Sequence, residues 1–336
     1  MAHRYLIALA LSLAATAANA EPGSVPVPQG KVYFGISEQP TTSAPSALEQ
    51  SLGMRADIVE FNNHITDQLH LDKLAALKML GAHYPYLSLA LAQPHATLRD
   101  TIDNDGSNVE EKPDDYYRGW AQALKAYGRP VFLRWGVEMN RPNFPWCALA
   151  DQPNCAGQTP QDFVAAWRHI HGIFKAAGAT NVAWVWCPSA DPMSRYDPTY
   201  GDLASMYPGS AYVDWTCLDV YNKPQMTHRW LSFDEVLTPP LNAILQFAPD
   251  KPMMIGETNA VPDSRRAQWF ADALKRAIPA HPQIKAVVVW QANRADDPDL
   301  PARRQIDWNV EDDPATLDAV KSALSAPPYS LPPLGR

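Results

Sequence analysis

The sequence predicts a single-domain α/β fold of the (β/α)8 barrel type, and three observations support this prediction. Eight short apolar runs are rich in Val, Ile, Leu and aromatic residues. They are nearly continuous rather than alternating, which is typical of parallel strands covered on both faces. Segments with helical capping signals separate most of these runs. The length of 336 residues also suits one barrel domain.

An open, doubly wound sheet is the alternative arrangement of alternating strands and helices. That arrangement calls for a Gly-rich phosphate-binding turn directly after the first strand. The segment Phe34–Pro40 reads FGISEQP and is not such a turn. The barrel is therefore the preferred prediction.

The predicted strands are bounded by turn residues and by the helical segments between them. In chain order they are Lys31–Ile36, Ile58–Asn62, Tyr84–Leu91, Pro130–Arg134, Val182–Trp186, Val213–Val220, Pro252–Gly256 and Ala286–Gln291.

The clearest predicted helix begins after Thr159 and ends before Gly178. Thr is a good N-cap, Pro160 fits the first turn, and glycine is the usual residue after a helix end. The segments after strands one, five and six have weaker helical patterns. The other predicted helices are Leu71–Leu80, Asp114–Tyr127, Ser264–Ile278 and Pro314–Leu324.

The first twenty residues predict a signal peptide. Met1–Arg4 is a short basic start, Tyr5–Ala17 is apolar but too short to span a bilayer, and Ala18–Ala20 is a small-x-small cleavage site. Residues 21–30 and 326–336 are Pro-rich flanks, and residues 31–325 form the predicted catalytic domain. We expect a monomer that is exported to the periplasm or beyond, with no membrane insertion.

Export places the four cysteines in an oxidising compartment. Cys147 and Cys155 are eight residues apart in one loop rich in Pro, Asn and Gly, so a disulfide is predicted there. Cys187 and Cys217 lie on successive predicted strands and can form a second bridge if their side chains face each other. Metal-binding motifs such as CxxC and HExxH do not occur, and we predict no cofactor.

The chain is acidic. Its formal net charge is −8, or about −9 once Arg4 is removed with the signal peptide. Nucleic acids and anionic membranes are poor partners for such a chain. A neutral substrate fits the charge better.

In a barrel enzyme, the active site lies at the carboxyl ends of the strands. Two carboxylic acids at those ends can cleave a glycosidic bond, while Trp rings stack on sugars and amides bind hydroxyls. The side chains predicted at these ends are Asn62, Asn63, His64, Arg134, Glu138, Asn140, Trp186, Asp219, Tyr221, Asn222, Glu257, Asn259, Trp290, Gln291 and Asn293.

Four motifs in order resemble glycoside hydrolase family 26. The family's Arg-x-x-His-Glu-Met-Asn is RWGVEMN at Arg134–Asn140, and its Tyr-Pro-Gly-x-x-Tyr-Val-Asp-Trp is Tyr207–Trp215. Its Asp-x-Tyr is Asp219–Tyr221, and its Lys-Pro-x-Met-Ile-x-Glu is Lys251–Glu257. With the strand-eight Trp290, the resemblance covers roughly residues 31 to 310.

The resemblance implies a retaining hydrolase with glutamates on strands four and seven. Glu138 would be the general acid/base and Glu257 the nucleophile. Tyr221 would orient Glu257, and Trp290 would form the floor of the site beside the cleaved bond. Arg134 would lie beneath and pair with a carboxylate.

The surroundings of Glu138 lead to one electrostatic prediction. Its apolar neighbours Trp135 and Trp146 are expected to raise the pKa of its carboxyl. For Glu257, an ionised carboxylate is expected beside Arg134 and the Tyr221 hydroxyl. Further candidates for substrate contact or support of the site are Asn140, Trp146, Trp186, Asp219 and His64.

One position departs from the family's motif. The His that precedes the acid/base is Val137 here, and valine cannot donate a hydrogen bond to a sugar. Either His64 or Asn140 serves the hydroxyl, or the site suits a different sugar.

The functional prediction is a retaining endo-β-glycanase acting on a neutral β-mannan or mixed-linkage β-glucan, the family's usual targets. Two alternatives remain, and Val137 favours the first. One is a carbohydrate-binding barrel that is weakly active or inactive. The other is a hydrolase that tailors a bacterial exopolysaccharide.

Overall fold

Eight parallel strands close into a barrel in sequence order, as predicted. The computed structural model describes residues 24–37, 46–62, 83–92, 96–106, 112–190, 203–298, 301–302 and 305–334. Each strand pairs in parallel with its two neighbours in the chain, and Gly35 of the first strand aligns with Val288 of the last to close the ring. The open, doubly wound alternative is therefore wrong.

The strands lie close to their predicted positions. They are β1 (Tyr33–Ser37), β2 (Ile58–Asn62), β3 (Tyr84–Leu89), β4 (Val131–Trp135), β5 (Val182–Trp186), β6 (Trp215–Asn222), β7 (Met253–Ala260) and β8 (Ile284–Trp290).

Helices surround the barrel. They are α1 (Ala47–Leu52), α2 (Leu98–Asp103), α3 (Pro113–Tyr127), α4 (Pro160–Ala177), α5 (Pro224–Thr227), α6 (Phe233–Phe247), α7 (Arg266–Asp272), α8 (Ile278–Ala280) and α9 (Pro314–Leu324). Short 3-10 turns cover Pro153–Cys155 and Leu203–Met206, and a π-helical turn over Ala273–Ala277 joins α7 to α8. The predicted helix Leu71–Leu80 lies outside the described residues.

Capping explains why α4 was readily predicted. The Thr159 side chain accepts a hydrogen bond from the Asp162 amide, and the Asp162 carboxylate accepts one from the Thr159 amide. Gly178 ends the helix with φ +75°. Helix α6 has the same capping box at Ser232, but Pro239 and Pro240 lie inside it. These prolines interrupt the sequence pattern and account for its weaker signal.

Two strands are longer at their carboxyl ends than the apolar pattern predicts. Strand β6 continues to Asn222, and β7 continues through Glu257 and Asn259 to Ala260. The extra residues are largely polar, so they break the apolar run that defined the predicted ends. These are the strand positions that the site uses.

Two layers of apolar side chains hold the barrel together. One fills the interior, where Phe132 and Trp215 meet edge to face with ring centroids 5.1 Å apart. Val25 joins this interior cluster, and the Tyr33 hydroxyl donates to the Pro26 carbonyl at 3.2 Å. A larger layer packs the outer face of the strands against the helices. Across the described residues, no helix combines the length and apolarity needed to cross a bilayer.

Candidate active site

A pocket opens at the carboxyl ends of the strands, where a barrel enzyme carries its chemistry. Its lining includes both predicted catalytic acids, together with Tyr221 and Trp290. These four predicted residues therefore share one pocket. The other lining residues are Arg141, Asn143, Lys223, Gln225, Met226, Arg294, Ile306 and Trp308.

Glu257 is held from two sides within strand β7. One carboxylate oxygen accepts a hydrogen bond from Arg134 Nη2 at 2.7 Å, and the other accepts one from the Tyr221 hydroxyl at 2.7 Å. The preceding Gly256 leaves no room for a side chain. A Cβ there would lie 2.4 Å from the Cys217 sulfur and 2.9 Å from an Asp219 oxygen. The orientation of Glu257 is thus determined by side chains of β4 and β6.

Arg134 is the centre of a buried charge cluster. It is fully buried, and its guanidinium contacts Glu60 at 2.5 Å, Asp219 at 3.1 Å and Glu257 at 2.7 Å. Its Nε donates to the Ser88 hydroxyl at 2.9 Å. One guanidinium therefore links acids on β2, β6 and β7, which agrees with the position predicted for Arg134 beneath the site.

The two acids behind Glu257 have raised pKa values. Burial raises the pKa of Glu60 to about 8, against the attraction of Arg134. Burial and the nearby Glu257 charge raise the pKa of Asp219 well above its usual range. One guanidinium faces three carboxylates in this cluster, so burial and mutual repulsion favour the protonated forms of Glu60 and Asp219.

Glu138 lies on the loop after β4 in a left-handed conformation, with φ +51°. Such values are uncommon for residues other than glycine, and here two hydrogen bonds hold the turn. The Glu138 amide donates to the Cys187 carbonyl at 2.8 Å, and the Arg141 amide donates to the Glu138 carbonyl at 2.9 Å. The strained turn directs the side chain into the pocket.

The electrostatic prediction for Glu138 is wrong. Burial does oppose ionisation, but the charges of Arg141 and Lys223 and the hydrogen bonds from Arg141 outweigh it, so the pKa of Glu138 is lowered. Arg141 Nη1 lies 3.2 Å from each carboxylate oxygen. The charges of Arg141 and Lys223, rather than the neighbouring tryptophans, therefore set the direction of the pKa shift.

Those tryptophans point away from the carboxylate. Trp135 stacks on Phe163 at 5.4 Å, and its indole donates to the Ala90 carbonyl at 3.1 Å. Trp146 is only 3% exposed, stacks on Phe144 at 4.9 Å and donates to the Val137 carbonyl at 2.7 Å. Neither ring lines the pocket, so the structure does not place Trp146 where it was predicted to contact sugar.

Three other predicted site residues have supporting or core positions. Asn140 exchanges two hydrogen bonds with the Ser189 backbone, at 2.8 and 2.9 Å, and so ties the loop after β4 to that after β5. Trp186 is fully buried and donates to the Met206 carbonyl, so it belongs to the core and not to the sugar-binding surface. Asp219 lies behind the pocket. His64 and Asn63 lie outside the described residues.

Val137 is partly buried and packs against the outer apolar core. It is not part of the pocket lining, so the residue that departs from the family motif has a packing role.

The predicted disulfide and the second bridge that the sequence left open are both present. Cys147 is bonded to Cys155 within the loop after β4, and Cys187 is bonded to Cys217 across β5 and β6. The second bridge lies beneath the site, with the Cys187 sulfur 3.2 Å from Asp219 Oδ1. Two cysteines and an acid in this arrangement could suggest a metal site, but the disulfide occupies both sulfurs.

One wall of the pocket is aromatic. Tyr221, Trp290 and Trp308 meet edge to face, with ring centroids 5.6 to 6.3 Å apart. Lys223 lies 3.8 Å from the Tyr221 ring centroid, and Arg294 lies 5.2 Å from that of Trp290. Sugar rings stack on such surfaces.

Sequence reasoning missed several of these residues. Glu60 had a signal, because it is an acid in the middle of an apolar strand. Arg141 directly follows the motif that ends at Asn140. Lys223, Arg294 and Trp308 carry no motif, and only the fold brings their loops together.

Comparisons with known proteins agree with this geometry. The sequence model described as "Glycosyl hydrolase family 26" matches residues 61–252. Endoglucanase H of Acetivibrio thermocellus is 29% identical over 302 residues, which are 88% of this chain and 30% of that protein. The β-1,3-xylanase TXYA of a Vibrio species is 31% identical over 106 residues, 31% of this chain and 19% of the relative. The chain thus spans less than a third of the length of these curated relatives.

Solved structures share the fold. A modular endo-β-1,4-mannanase from Cellulomonas fimi superposes with a TM-score of 0.63 at 18% identity, covering 88% of this chain and 71% of the other. A β-mannanase from Bacteroides ovatus gives 0.62 at 17% identity, covering 89% and 90%. The family match extends over more than half of the sequence, and the chain belongs to glycosyl hydrolase family 26.

Proposed function

We propose that this chain is a retaining endo-β-glycanase that hydrolyses a β-linked polysaccharide with a mannan or mixed-linkage glucan backbone. The observation that carries the proposal is the shared pocket of Glu138 and Glu257. Glu257 lies on strand β7 and Glu138 on the loop after β4, and the two acids have different surroundings, as two-carboxylate catalysis requires. The names of the relatives, an endoglucanase, a xylanase and mannanases, support the same reaction class.

Glu257 suits the role of nucleophile. Each of its oxygens accepts one hydrogen bond, from Arg134 and from Tyr221, so the carboxylate is oriented. Its side chain keeps 15% exposure towards the pocket. An oriented carboxylate with a free approach can attack an anomeric carbon.

Glu138 suits the role of acid and base. In the first step, Glu257 attacks the anomeric carbon as the glycosidic C–O bond breaks, and Glu138 donates its proton to the leaving oxygen. In the second step, Glu138 takes a proton from water, whose oxygen attacks the same carbon and releases Glu257. The anomeric configuration inverts twice and is therefore retained.

One observation favours a second candidate, a carbohydrate-binding barrel with feeble activity. The Arg141 ion pair lowers the pKa of Glu138, which disfavours the protonated form needed for the first step. The hydrolysis experiment described next distinguishes the two functions.

The test is hydrolysis of barley β-glucan, glucomannan and β-1,3-xylan by wild type and two variants. Loss of the nucleophile in Glu257→Ala should lower kcat by at least about 10⁴-fold. Loss of the proton donor in Glu138→Gln should lower it by about 10²- to 10⁴-fold. Released reducing ends give the rate, and proton NMR of the first product gives its anomeric configuration.

Asp250→Ala is the matched control, because Asp250 is an exposed acid before the amino end of β7. Its turnover should equal that of the wild type. Undiminished hydrolysis by Glu257→Ala, or an inverted first product, contradicts the proposal. Binding of these glycans without any cleavage by the wild type favours the feeble-activity candidate.

Export by the signal peptide is part of the proposal. Residues 1–20 lie outside the described residues, so support comes from the sequence and from the two disulfides, which need an oxidising compartment. N-terminal sequencing of the processed protein should begin at Glu21. Sedimentation would check the predicted monomer.

A further inference from the structure

Positive charge is concentrated in the pocket of this acidic chain. Among the described lining residues, three side chains are cationic and two are acidic. The cations are Arg141 after β4, Lys223 after β6 and Arg294 after β8. They come from three separate loops, so neither a basic run of sequence nor one helix face accounts for their meeting.

The aromatic wall holds two of these charges beside the pocket. Lys223 Nζ lies 3.8 Å from the Tyr221 ring centroid, and the Arg294 guanidinium carbon lies 5.2 Å from that of Trp290. Both rings also line the pocket. Such cation–π contacts are attractive and restrict long, flexible side chains. The charges are therefore positioned next to the surface on which a sugar would stack.

Behind the pocket, the negative charge is smaller than the number of acids suggests. Arg134 is fully buried against Glu60, Asp219 and Glu257. Burial raises the pKa of Glu60 to about 8 and that of Asp219 well above its usual range. The raised pKa values favour the protonated forms of both acids, which reduces the negative charge that could offset the cations.

The ion pair of Glu138 with Arg141 indicates a substrate that carries an anionic group. A general acid must carry a proton, but Arg141 contacts both oxygens of Glu138 at 3.2 Å and favours the ionised form. An anionic group on the substrate would compete for that guanidinium. Pairing with it would release Glu138 and favour its protonated form, whereas a neutral hydroxyl cannot compete in this way.

We propose that Arg141, Lys223 and Arg294 form an anion-binding rim that selects a β-glycan with a carboxylate substituent next to the cleaved bond. The planar guanidinium fork matches a carboxylate in a two-bond geometry, and Trp290 and Trp308 line the same pocket. This inference rests on the proposed glycosidase function. It departs from the neutral substrate expected from net charge, because the local field of a pocket can oppose the average charge of the surface.

The test uses matched backbones that differ only in charge. Barley β-glucan and glucomannan are each prepared in neutral form and with part of their C6 hydroxyls oxidised to carboxylates. We expect wild-type kcat/KM to be at least about 10-fold higher on an oxidised form than on its neutral parent. Raising NaCl from low to high concentration should shrink that ratio, since salt screens charge pairs that remain solvent-accessible.

Variants connect the preference to the rim. Arg294→Gln and Lys223→Gln should each lower the ratio of oxidised to neutral kcat/KM several-fold. Arg276→Gln is the matched control, because Arg276 pairs with Asp234 on the outer helices and does not line the pocket. Its ratio should equal that of the wild type.

Calorimetric titration with the same four glycans, using Glu257→Ala, measures binding without turnover. Tighter binding of the oxidised forms supports the rim even if the panel is cleaved slowly. The anion-binding rim is overturned if the wild type cleaves neutral and oxidised forms equally well and Glu257→Ala binds them equally tightly. That result leaves the glycosidase proposal intact. Preferential binding of the oxidised forms without cleavage of any sample supports the rim and contradicts the glycosidase proposal instead. Equal binding without cleavage overturns both.

Discussion

Glu257 lies within strand β7, whereas Glu138 lies on the loop after β4, and different parts of the molecule hold the two carboxylates. Glu257 is bound by Arg134 of β4 and Tyr221 of β6. Glu138 is bound by Arg141 of its own loop, in a turn with φ +51°. The Glu257 side is thus built from the barrel, and the Glu138 side is built from a loop closed by the disulfide between Cys147 and Cys155.

Because of this difference, we expect changes on the two sides of the site to have different effects. Changes on the strand side should damage stability and turnover together, because the same buried groups serve both. Changes on the loop side should alter pH dependence with less effect on folding. The variants below test that expectation, from the largest expected effect on turnover to the smallest.

Arg134→Met should have the largest effect. It removes the buried cation from three acids and leaves uncompensated charge, which costs about 3–5 kcal/mol of the free energy of unfolding. Turnover should be lost as Glu257 loses its donor. Urea unfolding and initial rates measure both effects. Arg134→Lys keeps the charge without the fork and should recover part of the stability. If Arg134→Met is as stable as the wild type, the idea that buried groups of the barrel hold Glu257 is contradicted.

Tyr221→Phe should have the next largest effect. It deletes one hydrogen bond to Glu257 and retains the ring. We expect kcat to fall by about 10- to 100-fold with a stability loss of about 1–3 kcal/mol. Tyr207→Phe, which removes a hydroxyl outside the pocket lining, is the control. Equal kcat in the two variants would remove Tyr221 from the proposed machinery.

Arg141→Gln should act on pH dependence. Loss of the cation raises the pKa of Glu138. A general acid works while protonated, so the alkaline limb of kcat/KM should move to higher pH. The pH profile on neutral barley β-glucan measures the shift. Arg118→Gln removes an exposed i,i+3 partner of Asp115 and should leave the profile unchanged. A downward shift in Arg141→Gln would contradict the assigned role of the ion pair.

Replacing Cys147 and Cys155 by serine should have the smallest effect on turnover. Opening this short loop should cost about 2–3 kcal/mol of unfolding free energy through the greater freedom of the unfolded chain. We expect kcat to change by less than about 10-fold. Thermal unfolding and a thiol titration, which should find no free thiol, measure the variant. A loss of turnover as large as that of Tyr221→Phe would show that the disulfide positions Glu138.

Much of the barrel could be predicted because its local signals agree. Apolar runs marked all eight strands, and caps such as Thr159 and Gly178 marked helix ends. Errors concentrated where function interrupts the pattern, as at the polar end of β7 after Gly256. Helix α6 was weakly signalled because Pro239 and Pro240 oppose its local propensity, and burial of its apolar face against the barrel outweighs them.

The site residues also fall into those that the sequence could identify and those that it could not. Motif residues such as Glu138, Glu257, Tyr221 and Trp290 could be found from the sequence, since their strand-end positions converge in any such barrel. Trp186 could not be assigned, because a strand-end ring can face the core or the pocket. It packs against Tyr207 and Phe247 in the core.

The sequence by itself determined the alternation of strands and helices, the pair of glutamates and the cysteines available for bridging, because these depend on local periodicity and residue type. Only the tertiary structure decided the electrostatics. The pKa of Glu138 depends on Arg141 and on Lys223, which lies on the loop after β6, and that of Glu60 depends on complete burial beside Arg134. Coulomb attraction and desolvation act through distances between distant segments, which no short stretch of sequence contains.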